Sequence, residues 1–314
     1  MTIRISALLP AITAFLVISC SFPKEDTSIA NLFAPGNVNT NMSERDAALS
    51  PDESIFLFSV QLTNQHSAIC YSTKLTGKWI RPRVASFSGK YMDIEPVFHP
   101  DGRLFFASNR PLPGETEAGD YNLWYVSKTD TGWSEAMALD TVVNSAGNEF
   151  YPSFTYNGDI YFTATLEGGK GKEDIWMSKW ENQQFAPPTN LGDSINTANY
   201  EYNSFISPDG SFLLFTTHGW GEGMGSGDIY VSFKDENAIW HSPKNLGAKV
   251  NTTAFEYCPS LSPDGKTLFF TRKNSPTPET ERWSYFEMVS SFNSLENGQG
   301  NIYYINSDII QQLK

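Results

Sequence analysis

Short runs of alternating apolar and polar residues, punctuated by Pro, Asp, Asn and Gly, recur along the chain, which is the pattern of half-buried β-strands joined by tight turns. The turn itself repeats. SPDG at Ser262–Gly265 recurs as SPDG at Ser207–Gly210, HPDG at His99–Gly102, TYNG at Thr155–Gly158 and SPDE at Ser50–Glu53. Consecutive copies lie about fifty residues apart, the length of one four-stranded propeller blade with its loops.

Each repeat carries four strand-like segments in a fixed order. A short run precedes the turn, as in Pro259-Ser260-Leu261, and the segment after it alternates up to Phe58, Phe106, Phe162, Phe215 or Phe270. A third opens with Asn or Asp before two large apolar residues, as in Asn122-Leu123-Trp124, Asp174-Ile175-Trp176, Asp228-Ile229-Tyr230 and Asn301-Ile302-Tyr303. The fourth is expected to start at an aromatic (Trp79, Trp133, Phe185, Trp240) and to run to Val143-Asn144, Ile195-Asn196 or Val250-Asn251. This fourth segment is out of phase with the chain ends. The last repeat lacks it, whereas Asn31-Leu32 and Val38-Asn39 supply one near the N-terminus with no turn before it. An N-terminal strand that completes the last blade would close the ring and remove an exposed sheet edge. The expected fold is all-β: a five-bladed β-propeller of four-stranded antiparallel blades over residues 30–306, with six blades the alternative count. A short C-terminal tail, 307–314, carries a turn of helix.

Composition agrees with many short strands: aromatics are 14%, and there are 23 Gly and 18 Pro. A formal charge of -13 argues against a phosphate-tracking surface, so nucleic acid is not an expected partner. Residues 1–19 hold one basic residue, Arg4, and an apolar stretch from Ile5 to Ile18 too short to span a bilayer, the pattern of a signal peptide. The stretch ends in Val17-Ile18-Ser19-Cys20, which resembles the lipobox of bacterial lipoproteins. That resemblance implies cleavage before Cys20, its lipidation, a linker over 20–29, and a place in the bacterial cell envelope as an outer-membrane lipoprotein facing the periplasm or the cell surface. The lipid, rather than surface charge, would hold the chain on the membrane. Cys70 and Cys258 lie in apolar, strand-like runs and read as buried free thiols, with one disulfide the alternative.

The repeats P-x-x-S-P-D-G-x-x-L-F-F with a following D-I-Y strand resemble the WD-repeat-like propellers of TolB, of the tricorn protease and of many exported lipoproteins of Bacteroidetes-type bacteria. The segment NLGAKVNTTAFEYCPSLSPDGKTLFF is similar to the propeller part of OmpA-linked exported proteins. The resemblance covers all five repeats and implies the fold. It does not imply one function, since propellers host enzymes and binding modules alike.

Antiparallel strands put the PDG turns on one face of the disk and the variable loops, with the links between blades, on the other. Binding usually lives in such loops. Each link carries an acid nine residues before the fourth turn residue: Glu44, Asp93, Glu149, Glu201 and Glu256. Five acids at a channel rim could hold a divalent cation, the one cofactor this pattern admits, or a polyhydroxyl ligand. A residue present in every blade more often serves the blade, here by accepting backbone N–H bonds of its own link. Unrepeated residues near that rim, Arg110, His218, Trp220 and Arg272, are the candidate ligand-binding groups, with loop packing the competing role. The Gly-rich loop His218–Asp228 does not join a strand to a helix, so its glycines are read as allowing close backbone approach.

Enzyme signatures are sparse. There is no G-x-S-x-G elbow, and the four histidines have no metal-ligand spacing. The expected function is partner binding without catalysis, the partner being an envelope protein, peptide or glycan and the chain a monomer. The alternative is a glycan-cleaving enzyme using Asp93, Glu149 or Glu201 at the channel mouth.

Overall fold

Five antiparallel sheets, the first of five strands and the others of four, form the blades of a five-bladed propeller in the computed structural model, which describes residues 26–63, 65–221, 223–278 and 281–314. The inner strands are Ser43–Leu49, Asp93–Phe98, Glu149–Phe154, Glu201–Ile206 and Phe255–Leu261, one per blade. Each PDG turn leads from an inner strand to a second strand, and a longer loop leads on to a third. The expected signal peptide, the expected lipidation site Cys20 and most of the expected linker lie outside the described residues.

The fifth blade is completed from the other end of the chain. Asn31–Leu32 pairs antiparallel with Gly300–Asn306, Asn31 opposite Tyr304, so the N-terminal strand closes the ring as the phase of the repeat predicts. A single helical turn, Asp308–Gln311, follows. The outer strands are shorter than expected. Only two residues pair in each, such as Arg83–Val84, Thr189–Asn190 and Lys244–Asn245. The aromatics expected to start these strands pair earlier instead, Trp79 opposite Lys74, Trp133 opposite Lys128, Phe185 opposite Trp180 and Trp240 opposite Lys234. Prolines between aromatic and strand, such as Pro82, Pro187 and Pro243, cannot donate to a ladder, which accounts for the late start in three blades.

Apolar burial is distributed between blades rather than gathered at one centre. Five clusters each draw on two neighbouring blades, as where Phe56 and Phe58 of the first meet Phe269 and Ile302 of the fifth. Phe58, Phe106, Phe162, Phe215 and Phe270 are all fully buried, and each contributes about 2–3 kcal/mol by leaving water. A polar device ties each link to the sheet. The Asn144 side chain accepts from the Leu123 N–H at 2.8 Å and donates to its C=O at 3.1 Å, mimicking one residue of a β-ladder. Asn196 does the same to Ile175, and Asn251 to Ile229.

The loop between the second and third strands of blade five contains a helix absent from the repeat pattern, Tyr285–Phe292, capped by Ser284 and Glu287 and burying none of its residues. Among the described residues no helix is long and apolar enough to cross a membrane.

Candidate functional site

The five link acids stand at the starts of the inner strands, and all five are fully buried. Four clamp the link that precedes them. Glu44 accepts the Thr40 N–H and hydroxyl, Glu149 those of Ser145, Glu201 those of Thr197 and Glu256 those of Thr252. Asp93 takes the Ser88 hydroxyl at 2.7 Å in the remaining copy. Each acid thus bonds within its own blade, Glu149 through one oxygen only, its buried Oε2 having no hydrogen-bond partner among the described residues. Among the described residues no three His, Cys, Asp or Glu side chains are grouped to hold a metal ion.

Arg110 and Arg272 prove to be counter-charges for this ring. Arg110 reaches Asp93 at 2.6 Å and Arg272 reaches Glu256 at 2.7 Å, with only 10% and 12% of their side chains exposed. Arg272 also donates to the Val250 carbonyl at 2.8 Å. Glu44, Glu149 and Glu201 have no arginine, and burial pushes their carboxyls above the usual range, Glu149 to about 7. Asp93, Glu149 and Glu201 are therefore not brought together on an open surface where a substrate could meet them.

The channel is closed by residues the sequence reading passed over. Every inner strand carries a bulge, and one residue in each adopts a left-handed backbone: Asp46 (φ 65°), Glu95 (φ 61°), Tyr151 (φ 50°), Asn203 (φ 50°) and Cys258 (φ 55°). Such a conformation costs a non-glycine residue roughly 1–2 kcal/mol. It also turns five different side chains toward the axis. Arg45 binds Asp46 at 2.7 Å and Glu95 at 2.8 Å, and Glu95 accepts the Tyr151 N–H at 2.7 Å and the Asn203 amide at 3.3 Å. The Cys258 thiol donates to Asn203 at 3.4 Å. All five blades are joined through this one network. Burial pushes Glu95 up to about 7 despite Arg45, and raises the Cys258 thiol well above its ordinary value. Cys70 and Cys258 are both free, buried thiols, as their apolar runs suggest. The signal for this network was the frame itself. These positions sit seven residues before the fourth turn residue in every repeat and never carry the same residue twice.

A mouth opens on each side of the plug, and Glu95 lines both. On the PDG face a funnel of about 600 Å³ is walled by Pro51, Pro100, Pro152, Pro208, Pro263 and Phe98 among others. On the loop face a smaller vestibule of about 330 Å³ is lined by Arg45, Lys273 and Glu173 with Tyr121, Phe150, Tyr202, Phe255 and Tyr257. His218 stands behind this aromatic wall, its Nε2 2.8 Å from the Tyr202 hydroxyl and its ring stacked on Phe255 at 5.6 Å. Trp220 is farther from the mouth, stacked on Tyr230 at 6.2 Å, with its carbonyl accepting the Tyr230 hydroxyl. The Gly-rich loop packs onto the next link: a Cβ on Gly225 would fall 2.0 Å from the Ala254 carbonyl oxygen. Close backbone approach is thus what that glycine supplies.

No family model and no curated protein matches the chain. Solved structures do. An α-L-arabinofuranosidase from Lactobacillus brevis aligns over 87% of this chain and 93% of its own with a TM-score of 0.51 and 11% identity. The family-62 α-L-arabinofuranosidase catalytic domain of Coprinopsis cinerea aligns over 90% and 98% with a TM-score of 0.50 and 10% identity. TolB from Acinetobacter baumannii aligns over 84% of this chain at 14% identity and a TM-score of 0.49, and the chain spans 54% of TolB. At these identities the two arabinofuranosidase alignments show a shared fold alone.

Proposed function

We propose that this chain is an envelope lipoprotein whose propeller binds a protein, peptide or glycan partner, without turning it over, at the loop-face mouth of its channel. The supporting observation is the make-up of that mouth. Its wall is aromatic with Arg45 and Lys273, whereas Asp93, Glu149 and Glu201 are buried and bonded to their own links. Aromatic faces beside a few fixed charges are suited to sugar rings and peptide side chains. The orientation of the chain fits the reading. Thr27 accepts the Asn306 N–H at the PDG-turn end of blade five, so a lipid on Cys20 would tether that face and turn the loop face outward. Panels of envelope glycans and peptides titrated into the mature chain should yield a ligand that is recovered intact, and Tyr202→Ala should weaken it at least tenfold. Unchanged affinity in that variant would remove the vestibule from consideration, and unchanged membrane fractionation of Cys20→Ala would remove the lipid anchor.

One observation favours a second reading, glycan cleavage. Glu95, its carboxyl raised to about 7 by burial, lies beside Asp46 on the shared Arg45, and adjacent carboxyls are the makings of an acid and base pair. Hydrolysis of aryl glycosides that is abolished by Glu95→Gln in a folded chain would establish it over the binding reading.

A further inference from the structure

The loop-face vestibule contains a cation that has no ion-pair partner among the described residues. Lys273, at the end of the second strand of blade five, points its ammonium over the Tyr257 ring at 5.5 Å, and Arg45 lies over the same ring at 5.2 Å. Arg45 is answered by Asp46 and Glu95. Lys273 is half-buried, yet among the described residues its ammonium has neither an ion pair nor a hydrogen-bond acceptor. Burial, and next the Arg45 charge, pull its pKa down. Withdrawing a cation from water without a partner is costly, and a bound anion relieves that cost.

The remaining lining narrows the anion. Glu173 and Glu95 also border the space, and the charge of Glu173 bears on both Glu95 and Tyr202. A multiply charged group such as a phosphate would meet these acids, whereas a single negative charge held against Lys273 would not need to approach them. Phe150, Tyr202 and Phe255 offer flat apolar faces for the rest of the ligand. A volume of about 330 Å³ is at the small end of ligand sites, enough for one ring or one residue of a polymer.

Taking the binding reading of this mouth as given, we infer that its ligand carries a carboxylate, received by Lys273 beside Arg45, on a ring-shaped or apolar body that lies against the aromatic wall. Sugar acids and the carboxyl ends of peptides share this chemistry. Calorimetric titration of the mature chain at low salt with galacturonate against galactose, and with N-acetylphenylalanine against its amide, separates the two sources. In at least one pair the acid should bind at least tenfold more tightly than its neutral partner. Lys273→Met should erase that preference, Lys273→Arg should keep it, and the melting temperature of Lys273→Met should equal or exceed that of the parent, since an uncompensated charge has been removed. Equal binding of acid and neutral members would overturn the inference; if Tyr202→Ala still weakened them, the binding reading would stand alone. No carboxylate binding at millimolar concentration, or a preference that survives in Lys273→Met, would also overturn it. Chemical turnover of a bound acid would refute the noncatalytic reading while leaving the carboxylate preference in place.

Discussion

Asn39 and Ile302 are clasped across 263 residues of chain: the Ile302 N–H donates to the Asn39 side-chain oxygen at 2.7 Å, and the Asn39 amide donates to the Ile302 carbonyl at 2.7 Å. The same motif joins Asn196 to Ile175 and Asn251 to Ile229 within continuous chain, so one local device serves as an ordinary link in the middle of the molecule and as the lock of the ring at its ends. Asn39→Ala leaves the buried Ile302 N–H unpaired, while the Ile302 carbonyl still accepts the Phe33 N–H, and should cost about 1–3 kcal/mol in urea unfolding, the cost of one orphaned group. Removal of residues 26–40 should cost more, because the outer strand and Phe33, which contacts Phe56 and Phe269, go with it. A loss under about 0.5 kcal/mol in Asn39→Ala would show that the ring does not depend on this clasp.

Glu53 holds a left-handed backbone, φ 55°, where Gly102, Gly158, Gly210 and Gly265 occupy the equivalent place in the other turns. A side chain there carries strain that glycine does not, offset in part by the greater freedom glycine brings to the unfolded chain. Glu53→Gly should therefore stabilise the fold by up to about 1 kcal/mol, and Gly210→Ala should destabilise it by about the same amount. Paired thermal melts read both signs, and a destabilised Glu53→Gly would contradict the strain assigned to that turn.

The architecture was legible because it depends on features that recur. Turn residues, the buried phenylalanines and the displaced fourth strand are periodic, and period fixes blade number and closure. The site was less legible for the same reason. Asp46, Glu95, Tyr151, Asn203 and Cys258 share a backbone role and no side-chain chemistry, and a bulge slips the register so that alternation does not show which way they point. Arg272 could have been found from pairing alone. It lies opposite Glu256 in the antiparallel register, which makes it a counter-charge before it can be a ligand group.

Stability should fall as pH rises from about 4.5 to about 7. Glu95 and Glu149 each have a folded-state pKa raised to about 7 from an ordinary value of 4.5, by burial in both cases. The folded chain then holds protons that the unfolded chain has released, so their contribution is fully present below pH 4.5 and is lost as pH climbs through 7. Glu149→Gln removes one of these groups and should flatten the decline by on the order of 1 kcal/mol between pH 5 and pH 8. Denaturant midpoints across that range check it; a steeper decline in the variant would reverse the assignment.

Arg272 separates structural from ligand-binding arginine. If its task is to neutralise buried Glu256 and satisfy the Val250 carbonyl, Arg272→Met strands a carboxylate out of water and should cost about 3–5 kcal/mol. Glu256→Gln in the same chain removes the stranded charge, so the double variant should recover a large part of that loss, giving a coupling energy of about 1–3 kcal/mol in a mutant cycle. Ligand affinity at equal folded fraction should be unchanged in the double variant, because neither group borders the vestibule. Additive losses would show that the pair is not coupled. Weakened binding in a fully folded double variant would return Arg272 to the recognition surface and move the site outward from the channel mouth toward the rim.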